Sequence, residues 1–386
     1  LASVPILLYK RPALRLTCAD WLLMATFAFY FVVVAASSFY HALPSGSFEE
    51  PSRFLFAIPV LLFFLAYPPQ ERYWWGALIV GCVAGGALAL WQTLMQDRAR
   101  ATGFMGAIQF GNLSLLMGWL CMMGMGWAQQ QARKRAWCWG LSVAAVAGIA
   151  ASLLSGSRGG WLALPVLLLL LYVTYRRKLP RRTMAATLVI LVGALAVSYV
   201  VPQTGVQDRI ERAVSEYQAY RSGQYKSTSV GLRLEMWDAS LHLAKQKPWT
   251  GWGESAYGQQ LASLIQDERS RHSIAGYGHV HSDLLDVYLR HGLPGLLALL
   301  LVYVVPFILF AQKFKRGGAA DTYAAAGMVL MAAVTIFGLT QAFLRHNSGI
   351  TVYMFYLAVL WGYVRLSAVE PAAGVSAGSG APAAGH

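Results

Sequence analysis

Charge is what this chain has least of. Only 12% of its 386 residues are Asp, Glu, Lys or Arg, where a soluble domain carries about 25%. Combined with 57% hydrophobic residues, that scarcity excludes a large soluble core and points to an all-α polytopic membrane protein. Cysteine is scarce too. Cys18, Cys82, Cys121 and Cys138 all fall in or beside apolar runs, and the long polar stretch has none. A disulfide framework and a cysteine-rich metal site are therefore not indicated. The chain also lacks internal repeats, so a solenoid is not expected.

What is abundant is long apolar runs. Ten can cross a bilayer as helix, at about 20 residues each: roughly 20–40, 53–67, 73–94, 104–127, 137–155, 160–175, 183–201, 295–312, 322–343 and 349–366. The second is short and holds Pro59. Basic residues cluster beside alternate spans, at Lys10, Arg11 and Arg15, at Arg133 to Arg135, at Arg176 to Arg182, and at Lys313 to Arg316. If all ten spans are real, every cluster lies on one side, which the positive-inside rule makes the cytoplasm. The net charge of +14 then reads as a topology signal and an attraction to anionic headgroups. Nucleic acid need not be invoked.

This divides the chain into an N-terminal bundle of seven spans (1–201), an outward-facing cap (202–294), three C-terminal spans (295–366) and a disordered Ala/Gly/Pro/Ser-rich tail (367–386). The cap holds ten of the seventeen acidic residues and ten of the thirty-one basic ones. Such local neutrality suits a folded amphipathic layer. Helices are expected near 206–221, 230–246, 254–266 and 282–291. The last has Ser282 as N-cap, with Gly292 and Pro294 to stop it.

Chemistry-bearing residues concentrate on the outward side. Arg158 sits in SGSRGGW, a hinge between two apolar spans, where flanking glycines would let the backbone approach an anion. The bland alternative is an arginine snorkelling to lipid phosphate. Arg233 and Trp237, four apart, share a helix face and would present a guanidinium braced by an aromatic plane. Arg233 could equally pair with Glu235 or Asp238. His279 and His281 precede the helix that ends at Gly292, and a histidine there can accept a hydroxyl proton near neutral pH. They could also be capping or surface groups. A metal reading of His-x-His with Asp283 or His272 lacks convincing third and fourth ligands. Arg345 and His346 lie outside between the last two spans, and Arg98 and Arg100 outside after the third; together they make the surface positive.

The ordered set Arg233-x-x-x-Trp237, Pro248-x-x-Gly251-x-Gly253, His281 and Gly292-Leu293-Pro294-Gly295 resembles the O-antigen ligase and polymerase superfamily. Ser155-x-Ser157-Arg158-Gly159 upstream resembles it as well. The recognisable motifs cover about 155 to 310. The resemblance implies a glycosyltransferase of the bacterial inner membrane with a periplasmic active site, its donor a glycan on undecaprenyl diphosphate. A ligase uses a sugar of lipid A–core oligosaccharide as acceptor. A polymerase uses another lipid-linked unit, and protein-glycosylating relatives use pilin. One large outer segment fits the ligase branch better. The resemblance also implies twelve spans, which ten would become with an N-terminal pair ahead of Leu1. Carried across, Arg158 and Arg233 would hold the diphosphate and His281 would be the base, with Trp237, His279, Asp283, Arg345 and His346 in support. Two arginines can neutralise the leaving diphosphate without a metal or other cofactor, and direct displacement would invert the anomeric configuration. The competing class, a lipid flippase, should carry ionisable groups at mid-bilayer; the spans hold almost none.

Overall fold

A computed structural model of the chain describes residues 3–176, 193, 206–222, 228–265, 274, 278–314 and 320–367. These residues form helices and no strand, as lipid demands of a chain that must satisfy its backbone internally. In order they are α1 (Ser3–Lys10), α2 (Cys18–Tyr40), α3 (Glu49–Ala66), α4 (Glu71–Met95), α5 (Ala107–Ala128), α6 (Lys134–Ser155), α7 (Arg158–Tyr175), α8 (Val206–Arg221), α9 (Ser229–Gln246), α10 (Gly253–Leu264), α11 (Asp283–Lys313), α12 (Asp321–Thr340) and α13 (Asn347–Ser367).

Eight of these, α2, α4 to α7 and α11 to α13, are long and apolar enough to cross a membrane. That differs from the ten spans expected. The second expected span is α3, an 18-residue helix with Glu49 and Glu50 in its first turn and Pro59 inside; these charges keep it out of the apolar set. The seventh, 183–201, lies outside the described residues apart from Gly193, as does the tail from 368 onward. The four helices expected near 206–221, 230–246, 254–266 and 282–291 correspond to α8, α9, α10 and the first part of α11. Ser282 takes the N-cap position of α11 with extended backbone, but its side chain makes no capping bond.

The first and last spans are stapled to each other. Thr17 opens α2 with a capping box, in which its backbone N–H and hydroxyl donate to Asp20 Oδ2 at 2.7 and 2.8 Å. Asp20 is fully buried. It also accepts from Trp361 Nε1 at 2.7 Å and pairs with Arg365 Nε at 3.2 Å, both on α13. Buried charge is tolerable only with such partners. At the far end of α2, His41 Nε2 donates to the Thr250 carbonyl at 3.0 Å, between α9 and α10.

The glycine-rich motifs explain how α9, α10 and α11 are joined. Gly292 interrupts α11 with φ 67° and ψ −165°. Gly251 has φ 67°, and both values lie where only glycine is comfortable. At these points the two backbones touch. Leu293 N–H donates to the Pro248 carbonyl at 2.7 Å and Trp252 N–H to the Leu289 carbonyl at 2.9 Å. A Cβ at Gly251 would lie 2.7 Å from His291 N, and one at Gly292 would lie 2.9 Å from Pro248 O. Each glycine is thus the socket for the other loop's backbone.

Beneath this lock lies a small apolar core in which Met236, Ala239 and Leu243 of α9 meet Leu261 of α10, Val280 and Leu289 of α11. It is separate from the main core of the bundle.

Candidate active site

The site is built around the short segment Gly278–Ser282 that leads into α11. Val280 is fully buried, and both its backbone groups are taken. Trp237 Nε1 on α9 donates to its carbonyl at 2.9 Å, and its N–H donates to Asp286 Oδ1 at 3.2 Å. Pinned at its middle, the segment presents the two flanking histidines with ring centres 4.5 Å apart. His281 has φ 54°. A left-handed backbone at a side-chain-bearing residue costs about 1–2 kcal/mol, and such strain gathers where geometry serves function.

The turn between α12 and α13 closes over these rings. Gln341, 4% exposed, accepts at Oε1 from His281 Nδ1 at 2.8 Å. Its Nε2 donates to His346 Nε2 at 2.8 Å and lies 3.5 Å from His279 Nε2. The His279 and His346 ring centres are 5.4 Å apart. Three histidines therefore surround one amide. Burial lowers the pKa of His281, and the positive charge of Arg233 adds to that, against the Gln341 hydrogen bond, which raises it. His279 is pushed down to about 4, by burial first and then by its neighbour His281. His346 is lowered by burial and by Arg345. In each case the shift favours the neutral ring.

Arg158 opens α7, and its turn packs on α5 and on the C-terminal end of α12. A side chain at Gly159 would run into Thr340 Oγ1, and one at Gly160 into Asn112 Oδ1. Ser157 Oγ donates to Asn112 Oδ1 at 3.3 Å, and Gln109 Nε2 donates to the Phe343 carbonyl at 3.4 Å. Arg100 joins the turn by donating from Nε to the Ser155 carbonyl at 2.8 Å. Its pKa is lowered by burial and by the charge of Arg158, so two guanidinium groups share this corner.

Behind the histidines runs a charged network. Arg290, 2% exposed, donates from Nε to Asp286 Oδ2 at 2.8 Å and from Nη2 to the Gly278 carbonyl at 2.7 Å, and pairs through Nη1 with Glu254 Oε1 at 3.0 Å. Arg345 hydrogen-bonds the same Glu254 and lies 3.6 Å from Asp286 and 3.7 Å from Glu50. Burial opposes the charge of Arg345, but Asp286, Glu50 and Glu254 outweigh it. Burial likewise works against Glu254, while Arg290 and Arg345 outweigh it and hold its carboxyl below the usual range.

The structure thus brings His279, His281, His346, Trp237 and Arg233 to one place, with the Arg158 turn packed on the end of α12 from which the loop starts. Arg345 is nearby but surrounded by carboxylates, an arrangement suited to holding the loop rather than an incoming anion. Asp283 is 3% exposed. It accepts from Tyr303 Oη at 2.7 Å and from Leu344 N–H at 3.2 Å, tying α11 to the α12–α13 loop. Gln341, Arg290 and Glu254 were not singled out from sequence. Gln341 is a polar residue closing an apolar run, the one signal it offered.

A family profile described as O-antigen ligase matches residues 143–300. Over those residues the chain is similar to the O-antigen ligase family. The match takes in the Arg158 turn, α9 and its loop to α10, the two histidines before α11, and the Gly292 kink. Gln341 and His346 lie beyond it. A protein of Haemophilus influenzae, described as an uncharacterized protein, is 24% identical over 341 residues, covering 88% of this chain and 85% of that one. Among the described residues no group of three His, Cys, Asp or Glu is arranged to hold a metal ion.

Proposed function

We propose that this O-antigen ligase family chain transfers a glycan from undecaprenyl diphosphate to a sugar hydroxyl of lipid A–core oligosaccharide. The observation that carries the reading is the neutral His281 held through Nδ1 by Gln341, beside Arg233 and one loop away from Arg158. In the proposed reaction the acceptor oxygen bonds to the anomeric carbon as the bond from that carbon to the diphosphate oxygen breaks. His281 Nε2 takes the hydroxyl proton and passes it to solvent. Arg158 and Arg233 receive the charge that grows on the diphosphate, so electrostatic stabilisation of the leaving group acts where the charge develops. One displacement inverts the anomeric configuration, and no metal or other cofactor enters.

A flippase reading needs ionisable groups inside the spans. The buried Asp and Arg residues of the described spans lie near helix ends, among them Asp20 in the first turn of α2 and Asp283, Asp286 and Arg290 before the Gly292 kink of α11, which favours interfacial chemistry. In this reading the histidine end of the bundle faces the periplasm of the inner membrane. A cysteine at the exposed Gln259 should then react with a membrane-impermeant maleimide once the outer membrane alone is opened; reaction only after lysis would reverse the orientation. The deciding experiment is reconstitution of the purified protein with lipid-linked glycan and lipid A–core, without ATP and with chelator. New lipid A–core conjugate supports the ligase reading. A lengthened lipid-linked glycan without conjugate makes the protein a polymerase, and no product with either acceptor removes both readings.

A further inference from the structure

A histidine can act as a base only through a nitrogen that carries no proton, and an imidazole has two candidates. Which one is free is set by the partner of the other. Around His281 that partner is Gln341. Its Oε1 accepts at 2.8 Å from Nδ1, and a carbonyl oxygen can only accept. With the amide in this orientation its Nε2 donates to His346 Nε2 at 2.8 Å, so both ends are bonded. Gln341 itself is held by the backbone: its N–H bonds the Phe337 carbonyl at 3.0 Å, and its carbonyl accepts from Phe343 N–H at 2.8 Å.

We propose that Gln341 is a positioning residue that locks His281 in the Nδ1–H tautomer, leaving Nε2 as the atom that receives a proton. Its second role is to fix the ring plane against His279 and His346, which would otherwise compete for the same hydrogen bonds. A carboxylate could orient the ring as well, but at 341 it would also favour the charged imidazolium, raising the ring's pKa and leaving less free base at neutral pH. The amide orients the ring and leaves it neutral. The charged and titratable groups facing this ring are Arg233 from α9, His279 and Asp286 from its own segment and α11, and His346 from the α12–α13 loop. None of them occupies Nδ1.

The inference deepens the reading of His281 as the base, and its test separates the two. Protein labelled with ¹⁵N-histidine in detergent should show, by long-range ¹H–¹⁵N correlation, a protonated Nδ1 and an unprotonated Nε2 for His281, assigned with His281→Asn. Gln341→Leu should move that signal toward a mixture of tautomers and lower transfer at least about tenfold, a fraction of the 10²–10⁴ that general-base help supplies. Gln341→Glu keeps the acceptor but adds a charge, so the acid limb of the pH–rate profile should move up by about one to three units, with transfer recovered above it. A merely structural role would not move that limb. An Nε2–H tautomer in the wild type, or an acid limb unmoved in Gln341→Glu, overturns the proposal. An Nδ1–H tautomer lost in Gln341→Leu while His281→Asn transfers normally keeps the positioning role and discards the base. Normal tautomers in Gln341→Leu with transfer abolished in His281→Asn do the reverse.

Discussion

Replacing Gly251 by alanine tests whether the paired glycine motifs are a lock or only flexible turns. The added Cβ runs into the backbone carbonyl of Arg290 and lies 2.7 Å from His291 N, both on α11. Backbone cannot rotate away as a side chain could. The φ of 67° alone costs about 1–2 kcal/mol for a residue with Cβ. Separating the strands also weakens two backbone hydrogen bonds, Leu293 to Pro248 and Trp252 to Leu289, each worth about 0.5–1.5 kcal/mol net. Together these give a loss of roughly 2–5 kcal/mol. Gly258 supplies a control of opposite sign. It lies inside α10 with open space around its Cβ position, so Gly258→Ala should stabilise by roughly 0.5–1 kcal/mol. Denaturant titration in detergent micelles, followed by tryptophan emission, compares both variants with wild type. If Gly251→Ala and Gly258→Ala unfold at the same midpoint, the interlock is not holding α9 to α11.

His281→Asn should cut transfer by about 10²–10⁴-fold while donor binding persists, measured as turnover and as retention of lipid-linked glycan. Arg158→Lys and Arg233→Lys should each lose much activity because lysine cannot reproduce the bidentate fork; wild-type turnover in both would locate the diphosphate elsewhere. Arg290→Met removes the nearer cation of a buried pair and leaves Asp286 only Arg345 at 3.6 Å and the Val280 N–H, a loss toward the lower end of about 3–5 kcal/mol, seen as a lower unfolding midpoint. For pH, His279 has its folded value depressed to about 4 from 6.5 unfolded. Its contribution to stability is therefore complete above 6.5 and is lost as pH falls from 6.5 through 4, and His279→Gln should flatten melting curves in that window.

Helix positions were legible because the information is local. Apolar runs near 20 residues, and Ser282 and Gly292 at the bounds of 282–291, all act within a few residues. The chemistry at 279 and 281 was visible for a similar reason, as imidazoles stand out in a greasy chain. What brings those histidines together was not visible. Gln341 lies 60 residues from His281 in a turn whose polar groups look like any interfacial cap. Arg345 reads as a surface cation until Glu50, Glu254 and Asp286 arrive from three other elements. The glycines at 251 and 292 were recognisable as motifs, yet their reason is mutual, and neither loop alone predicts the other. The second expected span is the helix α3, and its charged first turn belongs to the site end of the bundle, where Glu50 meets Arg345.

The staple between the two ends of the bundle has a consequence in time. Asp20 is 341 residues from Trp361 along the chain, and polypeptides emerge at about 5–20 residues per second. The first span is therefore made on the order of tens of seconds before the helix that neutralises it. Throughout that interval Asp20 has only Thr17 to satisfy it, so α2 must wait in a partly wet, unfinished setting. A ribosome that stops short of α13 leaves that carboxylate stranded, and such a nascent chain is a natural target for membrane quality control.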